Sequence, residues 1–281
     1  MTAPQEFSRT TPHVARTIQI NSQRRPAMTT TSWKEKVRAA EPGIGTFLGM
    51  GSAVAAEVCA LSGFDWLLVD LEHGAGGEDA LLGQILAAGT HGVPIVVRAE
   101  SADRIRAGRV LDMGAAGVMF PRLDSPAQVA EAIAHLRYPP QGDRGVAGYN
   151  RARLFGADGL TAEQVNDTIV GIVQIETLSA LDNVAEIAAI PGVDVLFIGP
   201  ADLSTALGVP GQLDSSPFRS AVAKVVQAAR AAGIAAGILS RDADHANACL
   251  EDGFTFVGVG SDATLLASAA KAVTAKAAPP A

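Results

Sequence analysis

From residue 33 onward, short apolar runs alternate with longer stretches in which apolar residues recur at helical spacing. The apolar runs are nearly continuous, which is typical of parallel strands covered by helices. Eight such strand-and-helix units favour a closed (β/α)8 TIM barrel of the α/β class over an open sheet. The predicted strands are Gly45–Leu48, Trp66–Asp70, Ile95–Arg98, Gly117–Phe120, Gly171–Glu176, Val195–Ile198, Ala235–Leu239 and Phe254–Val259.

The same spacing predicts a helix after every strand, and a capping pattern at Ser32 predicts a short helix ahead of the first strand. Two connections are longer than the others, Tyr138–Thr168 after the fourth strand and residues 207–217 after the sixth. Extra loop length is often functional, so both are expected to border an active site. The predicted helices are Ala53–Leu61, Asp79–Ala88, Ala102–Met113, Pro126–Arg137, Leu178–Ala189, Phe218–Ala232, Asp242–Glu251 and Ala263–Ala275.

The chain of 281 residues is long enough for one barrel of ordinary size. We therefore expect a single barrel domain over residues 33–276, a disordered extension over residues 1–32 and a short tail over residues 277–281. The extension is rich in Thr, Ser, Gln and Arg and shows no hydrophobic period. It is poor in acidic residues, as transit peptides are, but it lacks an amphipathic face. Translation from Met28 is the favoured interpretation.

Composition narrows the possible partners. The formal net charge is −7, which suggests neither nucleic acid nor an anionic membrane surface as a partner. No apolar run approaches the ~20 residues of a membrane span. Cys59 and Cys249 lie far apart in predicted helices and lack the spacing of a zinc site. Two buried free thiols in a reducing cytoplasm are therefore expected.

Two carboxylates fall where neighbouring predicted strands end. Functional side chains of such barrels lie at the carboxyl ends of the strands, so Glu176 and Asp202 should meet there. Together they can hold a hard divalent cation such as Mg²⁺ or Mn²⁺, with water and substrate oxygens completing the shell. Capping of the following helices is the alternative role. A substrate carboxylate can bind the backbone N–H groups of the turn Gly199–Pro200–Ala201–Asp202.

His73 is the one histidine expected at this edge of the barrel, and it follows Asp70 closely. Histidine titrates near neutral pH, so His73 is the candidate general base, and Asp70 is a candidate to orient its ring. The alternative is a solvated loop histidine. Arg98 ends the third strand, where a buried guanidinium needs an anion. That anion is either a substrate or, alternatively, the carboxylate of Asp70 or Glu72.

The lysines of the chain all lie away from the predicted strand ends. A Schiff-base mechanism needs a buried lysine in the site. If this barrel cleaves carbon–carbon bonds, we therefore expect it to use a metal ion and not an imine. The lysines are Lys34, Lys36, Lys224, Lys271 and Lys276.

Seven motifs, in order over about residues 42–275, together resemble the HpcH/HpaI family of class II, metal-dependent pyruvate aldolases. That family includes 4-hydroxy-2-oxoheptanedioate aldolase and 2-dehydro-3-deoxyglucarate aldolase. The resemblance implies a barrel of the phosphoenolpyruvate/pyruvate type, whose eighth helix often packs on a neighbouring subunit, commonly in hexamers. The motifs are DLEHG (70–74), VVR (96–98), LDMGAAGVMFP (111–121), RYPPQGDRG (137–145), QIET (174–177), GPADLS (199–204) and FVGVGSD (256–262).

The resemblance also implies how the substrate is held. Glu176 and Asp202 would bind Mg²⁺, Mn²⁺ or Co²⁺, and pyruvate would chelate that cation through its carboxylate and keto oxygens. Gln174 and the backbone of Ala201 would hold pyruvate. The expected partners are thus small molecules, an oxoacid and an aldehyde.

Three further roles follow from the resemblance. His73 would act as the base, directly or through a water molecule, and Arg98 would stabilise an enolate. Asp112 would raise the basicity of His73, from the same or a neighbouring subunit. By its position alone, Asp112 is a surface acid at the end of a helix, away from the strand ends.

The implied reaction is reversible cleavage of a 4-hydroxy-2-oxoacid to pyruvate and an aldehyde. A CoA-ester lyase or citrate-synthase-like enzyme is the alternative, and a non-catalytic barrel is a further one. The net negative charge of the chain argues against the CoA-ester lyase or citrate-synthase-like enzyme. The full set of polar residues at the strand ends argues against a non-catalytic barrel.

The sequence departs from the family pattern at Arg122, Tyr149 and Asn150. With Arg151 and Arg153, Arg122 indicates an acidic or polyhydroxy aldehyde.

Overall fold

The computed structural model describes residues 32–277 of the chain. All eight predicted strands are present; the first begins two residues earlier than predicted, and the last is shifted two residues toward the carboxyl end. The expected extension, apart from Ser32, and residues 278–281 of the expected tail lie outside the described residues. The strands are β1 (Gly43–Leu48), β2 (Trp66–Asp70), β3 (Ile95–Arg98), β4 (Gly117–Phe120), β5 (Val170–Ile175), β6 (Val195–Ile198), β7 (Ala235–Ser240) and β8 (Phe256–Ser261).

Helices surround the strands, and the predicted helix Leu178–Ala189 is divided into two at Asn183. The side-chain amide of Asn183 donates to the carbonyl of Ser179 at 3.0 Å, a local bond that competes with a continuous helix. The helices are α1 (Trp33–Arg38), α2 (Ala53–Leu61), α3 (Glu78–Gly89), α4 (Arg104–Asp112), α5 (Pro126–Ala134), α6 (Ala162–Asn166), α7 (Leu178–Asp182), α8 (Val184–Ala188), α9 (Pro200–Ala206), α10 (Ser216–Ala232), α11 (Ala243–Glu251) and α12 (Asp262–Lys276).

Each strand pairs in parallel with the next, and β8 pairs with β1, so the sheet closes into the predicted barrel. Successive side chains along a strand point to opposite faces. On β2, Leu67 and Val69 pack outward in the layer shared with the helices, whereas Trp66 and Leu68 belong to the interior cluster. Asp70 is the next inward position of β2. The alternation therefore brings a carboxylate into the mouth of the barrel.

Aromatic rings fill the interior at the amino-terminal ends of the strands. The rings of Trp66 and Phe256 are stacked with centroids 4.0 Å apart, and Trp33 of α1 lies 6.2 Å from Phe256. A Cβ atom at Gly45 would lie 2.1 Å from the Trp66 ring, so only glycine fits beside it. This end of the barrel is packed closed, which leaves the carboxyl ends of the strands for chemistry.

A buried ion cluster joins α1 to the same amino-terminal end. Asp194 is 1% exposed and accepts a hydrogen bond from Arg38 Nε at 2.9 Å. Lys34 Nζ and Arg137 Nη2 each lie 3.6 Å from the same carboxylate. Lys34 also donates to the carbonyl of Ile169 at 2.6 Å. One buried carboxylate thus lies among three cations, of which Lys34 and Arg137 are buried and Arg38 is exposed.

The two long connections lie at opposite ends of the barrel. Residues 207–215 follow the short helix α9 and precede α10, so they lie at the carboxyl ends of the strands. Tyr138–Thr168 follows α5 and precedes β5, which places it at the amino-terminal ends. Within one chain, Tyr138–Thr168 therefore does not border the active site, and this part of the prediction is wrong. Length alone does not tell whether a connection comes before or after its helix.

Cys59 and Cys249 are both buried free thiols, as predicted. Burial raises the pKa of Cys249 to about 11, so this thiol stays protonated near neutral pH. Across residues 32–277, no helix combines the length and the apolar content that a membrane crossing requires.

We predict that Lys34 makes stability rise with alkaline pH. Burial, and then Arg137, lower the pKa of Lys34 to about 8. Between that value and the unfolded value near 10.5, the unfolded chain binds a proton that the folded chain has released. The free energy of unfolding of the wild type relative to Lys34→Met should therefore increase between pH 7 and pH 11. The expected increase is on the order of 3 kcal/mol.

Urea unfolding at a series of pH values measures this difference. Lys36→Met is the matched control, because Lys36 is an exposed lysine of the same helix. Its difference from the wild type should stay constant over the range. A constant difference for Lys34→Met as well would contradict the assigned pKa.

Candidate active site

A cavity of about 420 Å³ opens at the carboxyl ends of the strands. His73, Arg98, Gln174 and the turn Gly199–Asp202, all predicted site residues, line one side of it. Leu213, Leu239 and Arg241 line it as well, and β7, which carries Leu239 and leads into Arg241, lies across the closed barrel from β3 and its Arg98. We call this space the substrate cavity. A larger cavity of about 620 Å³ lies between α10 and α11, but it is outside the barrel and away from the inward-pointing polar side chains.

Glu176 lies beside the polar side of the substrate cavity and is 4% exposed. Gln174 Nε2 donates to its Oε2 at 2.9 Å, and the backbone N–H of Arg122 donates to its Oε1 at 2.8 Å. A Cβ atom at position 199 would lie 2.9 Å from Glu176 Oε2 and 3.0 Å from Gln174 Nε2. The glycine therefore lets the turn after β6 approach the carboxylate.

The contact from Arg122 was not foreseen from the sequence. Arg122 has a φ of 53°, a left-handed conformation that is uncommon for residues other than glycine. In this conformation the backbone N–H of Arg122 is directed at Glu176. Strained backbone of this kind occurs most often at functional sites. The sequence analysis singled out Arg122 for its guanidinium, whereas it is the backbone N–H of Arg122 that contacts Glu176.

The charge around Glu176 suits a cation. Burial raises the pKa of the Glu176 carboxyl, and the nearby carboxylates of Asp202 and Glu72 raise it further, against the opposing effects of Arg122 and Arg98. Gln174 Oε1 is buried and has no hydrogen-bond partner within the described chain. Carboxylate and amide oxygens are the ligands preferred by Mg²⁺ and Mn²⁺. The donor set of Glu176 and Asp202 therefore fits a hard divalent cation.

Over residues 32–277, no group of three or more His, Cys, Asp or Glu side chains is placed to hold a metal ion by itself. A cation at Glu176 and Asp202 would therefore need oxygen atoms from water or substrate. Such an open coordination shell is usual for a catalytic metal site.

Arg98 is held by two carboxylates at the mouth of the barrel. Its Nε and Nη2 donate to the two oxygens of Asp70 at 2.9 and 2.6 Å, and Glu72 lies 3.3 Å from Nε. Burial alone would raise the pKa of Asp70, but the hydrogen bonds and charge of Arg98 lower it below its usual value. The ion pair with Asp70 and Glu72, which the sequence analysis gave as the alternative to a substrate anion, is therefore formed. It leaves Nη1 for an acceptor in the substrate cavity.

His73 reaches the substrate cavity from the turn after β2, and its side chain is 69% exposed. Asp70 does not contact the ring as expected, because its Oδ1 accepts from the backbone N–H groups of Glu72 and His73 at 3.1 and 3.2 Å. The carboxylate nearest the ring is Glu72, whose Oε2 lies 3.8 Å from His73 Nε2. Asp70 thus positions the turn that carries His73.

Asp112 lies at the opposite end of the barrel from His73. It is the last residue of α4, and Ala116, four residues later, donates to Ile95 at the start of β3. Its carboxylate is paired with Arg144 at 2.7 Å. Within one subunit, Asp112 therefore cannot act on His73. A role through a neighbouring subunit stays a prediction.

Two of the arginines that suggested an acidic aldehyde are also remote from the substrate cavity. Arg151 donates to the carbonyl of Met113 at 2.9 Å, next to the end of α4. Arg153 pairs with Asp158 at 2.5 Å within its own connection. Arg241, which follows β7, also lines the substrate cavity, and the sequence analysis assigned it no role. The alternation of inward and outward residues along β7, continued by one residue past its end, predicts that Arg241 is an inward position.

Comparisons with known proteins show the family of the chain. The family model described as HpcH/HpaI aldolase/citrate lyase matches residues 43–269. A hydroxypyruvate/pyruvate aldolase of Sagittula stellata is 39% identical over 85% of this chain and 95% of its own length. A 2-keto-3-deoxy-L-rhamnonate aldolase of Escherichia coli is 38% identical over 86% of this chain and 91% of its own length.

A solved structure of an HpcH/HpaI aldolase/citrate lyase family protein from Burkholderia cenocepacia resembles the whole barrel. It superposes with a TM-score of 0.83 at 36% identity, over 88% of this chain and 98% of that one.

We predict that Gly199→Ala weakens Mn²⁺ binding while the barrel stays folded. The added Cβ would press on Glu176 and Gln174, and displaced groups around a metal ligand typically cost 10–100-fold in affinity. Calorimetric titration with Mn²⁺ measures the loss. Gly108→Ala is the matched control, since a Cβ in the middle of α4 would meet no atom within 4 Å. Unchanged affinity in Gly199→Ala would argue against the assigned site.

Proposed function

The chain belongs to the HpcH/HpaI aldolase/citrate lyase family and is a carbon–carbon lyase, and we propose that it reversibly cleaves a 4-hydroxy-2-oxoacid to pyruvate and an aldehyde. The observation that carries the proposal is the convergence of His73, Arg98 and Gln174 with the Gly199–Asp202 turn on one cavity. The aldolase names of the relatives support it over a CoA-ester lyase.

Glu176 and Asp202 would hold a divalent cation, of which Mg²⁺, Mn²⁺ and Co²⁺ are the proposed choices. When bound, such a cation supplies Lewis acidity toward the keto oxygen of the oxoacid. Gln174 fixes Glu176 through its Nε2, and the same amide presents its unpaired Oε1 beside the site.

The turn at the start of α9 binds the carboxylate of the oxoacid in this proposal. The first hydrogen bond inside α9 is donated by Leu203 to Gly199 at 3.0 Å. The N–H groups of Ala201 and Asp202 therefore precede the hydrogen-bonded part of the helix and can donate to a substrate. Pro200 has no N–H to offer, and its fixed backbone suits the first helical position.

Arg98 stabilises the negative charge that develops when the C3–C4 bond breaks. The electron pair of that bond moves toward C2 and its oxygen, which gives the enolate of pyruvate. A guanidinium already fixed by Asp70 needs little reorganisation at that moment, which is the condition for effective electrostatic stabilisation. Loss of one such contact typically lowers the rate by on the order of 10²–10³-fold.

His73 moves the proton in this proposal. In the cleavage direction it accepts the proton of the 4-hydroxyl group as the C4 carbonyl of the aldehyde forms. A proton then returns to C3 of the enolate and gives pyruvate. The exposed position of the ring at the mouth lets it exchange protons with solvent.

We further propose that the barrel is of the phosphoenolpyruvate/pyruvate type and assembles with copies of itself, as a hexamer. The support is α12, in which Asp262 is the one buried residue. Leu265, Leu266 and Val273 of this helix are 40%, 59% and 65% exposed. A helix with this much exposed apolar surface is typical of a subunit interface. The buried free thiols support a cytoplasmic location.

The first prediction from this proposal concerns pyruvate alone. In D₂O with Mn²⁺, the protein should exchange the methyl protons of pyruvate for deuterium, because enolate formation is reversible. EDTA should abolish the exchange, and Glu176→Gln should lower it by on the order of 10²–10³-fold. Proton NMR measures the rate without any knowledge of the aldehyde.

Glu186→Gln is the matched control, because Glu186 is an exposed glutamate of α8, away from the substrate cavity. Its exchange rate should equal that of the wild type. Full exchange by Glu176→Gln would place the metal site elsewhere, and exchange that survives EDTA would contradict metal dependence.

The second prediction concerns assembly. The double substitution Leu265→Glu and Leu266→Glu should dissociate the oligomer, because two charges would replace apolar surface at the interface. Light scattering coupled to gel filtration measures the mass. Lys271→Glu on the same helix is the control and should keep the wild-type mass. A monomeric wild type would overturn the proposed assembly.

A further inference from the structure

The substrate cavity has two chemically distinct sides. The polar side carries Arg98, Gln174 and the Gly199–Asp202 turn, which our proposed function assigns to the pyruvate half of the substrate. The other side carries Leu213, Leu239 and Arg241. Once the pyruvate half occupies the polar side, the aldehyde half must face this second side. Its residues therefore determine which aldehyde fits.

The position of Arg241 follows from the alternation along β7. Ala235 belongs to the interior cluster of the barrel, and Leu239 packs against that cluster. The hydroxyl of Ser240 donates to the carbonyl of Gly258 at 2.9 Å. Arg241 comes two residues after Leu239, at the next inward position. The guanidinium is therefore directed toward the cavity mouth by the strand itself.

Arg241 also differs from Arg98 in its exposure and in its ion pairs. Arg98 is 12% exposed and is committed to Asp70 and Glu72, whereas the side chain of Arg241 is 61% exposed. The one ion pair of Arg241 within residues 32–277 is to Asp242 at 3.5 Å, and Asp242 is 57% exposed.

The pair with Asp242 is weak. An exposed pair of this kind contributes about 0–1 kcal/mol, so a ligand can replace it at little cost. In addition, Asp242 Oδ1 already caps α11 by accepting from the N–H of His245 at 2.8 Å.

We propose that Arg241 determines specificity by binding a carboxylate at the far end of the aldehyde. The inference rests on the proposed aldolase function and names the substrate class for the same site. A guanidinium matches a carboxylate with two parallel hydrogen bonds, which a point charge cannot do. Leu213 and Leu239, which line the cavity together with Arg241, suit the short carbon chain that joins the two ends of such an aldehyde.

Two aldehydes of equal carbon number test the proposal in the metal-loaded enzyme. Succinic semialdehyde carries a terminal carboxylate, and butanal does not. The wild type should add pyruvate to succinic semialdehyde with the higher kcat/KM. Arg241→Met should lower kcat/KM for succinic semialdehyde about 10- to 100-fold, the usual value of hydrogen bonds to a charged group, and mainly through KM. Arg241→Lys should recover part of the loss.

Butanal and pyruvate proton exchange serve as internal references. Butanal has no terminal carboxylate, and the exchange reaction needs no aldehyde. In Arg241→Met, kcat/KM for butanal and the rate of pyruvate proton exchange should therefore stay within about twofold of the wild type. Arg104→Met, which alters an exposed arginine of α4, should match the wild type with both aldehydes. Equal losses for the two aldehydes, or no loss for either, would overturn the role of Arg241.

The same measurements separate this inference from its premise. If the wild type exchanges pyruvate protons but Arg241→Met leaves the preference between aldehydes unchanged, the proposed function stands and the assignment of Arg241 fails. If the wild type shows no exchange with any divalent cation, the proposed function fails and the assignment of Arg241 fails with it.

Discussion

The ion pair between Asp70 and Arg98 is the interaction on which the arrangement of the site depends. These two residues are register partners at the ends of β2 and β3, so the closed barrel itself brings them together. Asp70 also accepts hydrogen bonds from the backbone of Glu72 and His73. A single buried carboxylate thus fixes both the guanidinium and the turn that carries the candidate base.

Burial by itself would favour the protonated form of Asp70. The guanidinium of Arg98 reverses this effect and lowers the pKa of the carboxyl. Removal of Arg98 would leave the buried carboxylate of Asp70 without its counter-ion, which is costly in any fold. Removal of Asp70 would leave Arg98 with Glu72 alone, 3.3 Å from its Nε. The pair therefore has a structural role as well as the proposed catalytic one.

Much of the fold could be predicted from the sequence because parallel strands buried on both faces give nearly continuous apolar runs. The eight strands and the order of the helices follow directly from that pattern. The rule that function lies at the carboxyl ends of the strands then selected His73, Arg98 and the Gly199–Asp202 turn. These residues share one cavity with Gln174, whose role only the family resemblance implied. Short-range periodicity was sufficient for these residues.

Contacts that depend on backbone direction or on longer-range placement were not predictable. The N–H of Arg122 reaches Glu176 only because the backbone turns left-handed there. The expected contact between Asp70 and the ring of His73 was replaced by one to the backbone, because Arg98 occupies the carboxylate. The remote position of Arg151, in contrast, could have been predicted, because the predicted helix Pro126–Arg137 already precedes its connection and so places it at the amino-terminal ends of the strands.

Both tryptophans of the chain, Trp33 and Trp66, lie at the closed end of the barrel, around Phe256. The substrate cavity lies at the other end and is lined by no indole ring. Intrinsic tryptophan emission therefore reports whether the barrel is folded and does not respond to substrate binding in the cavity. For this protein, one optical signal follows unfolding without interference from bound substrate.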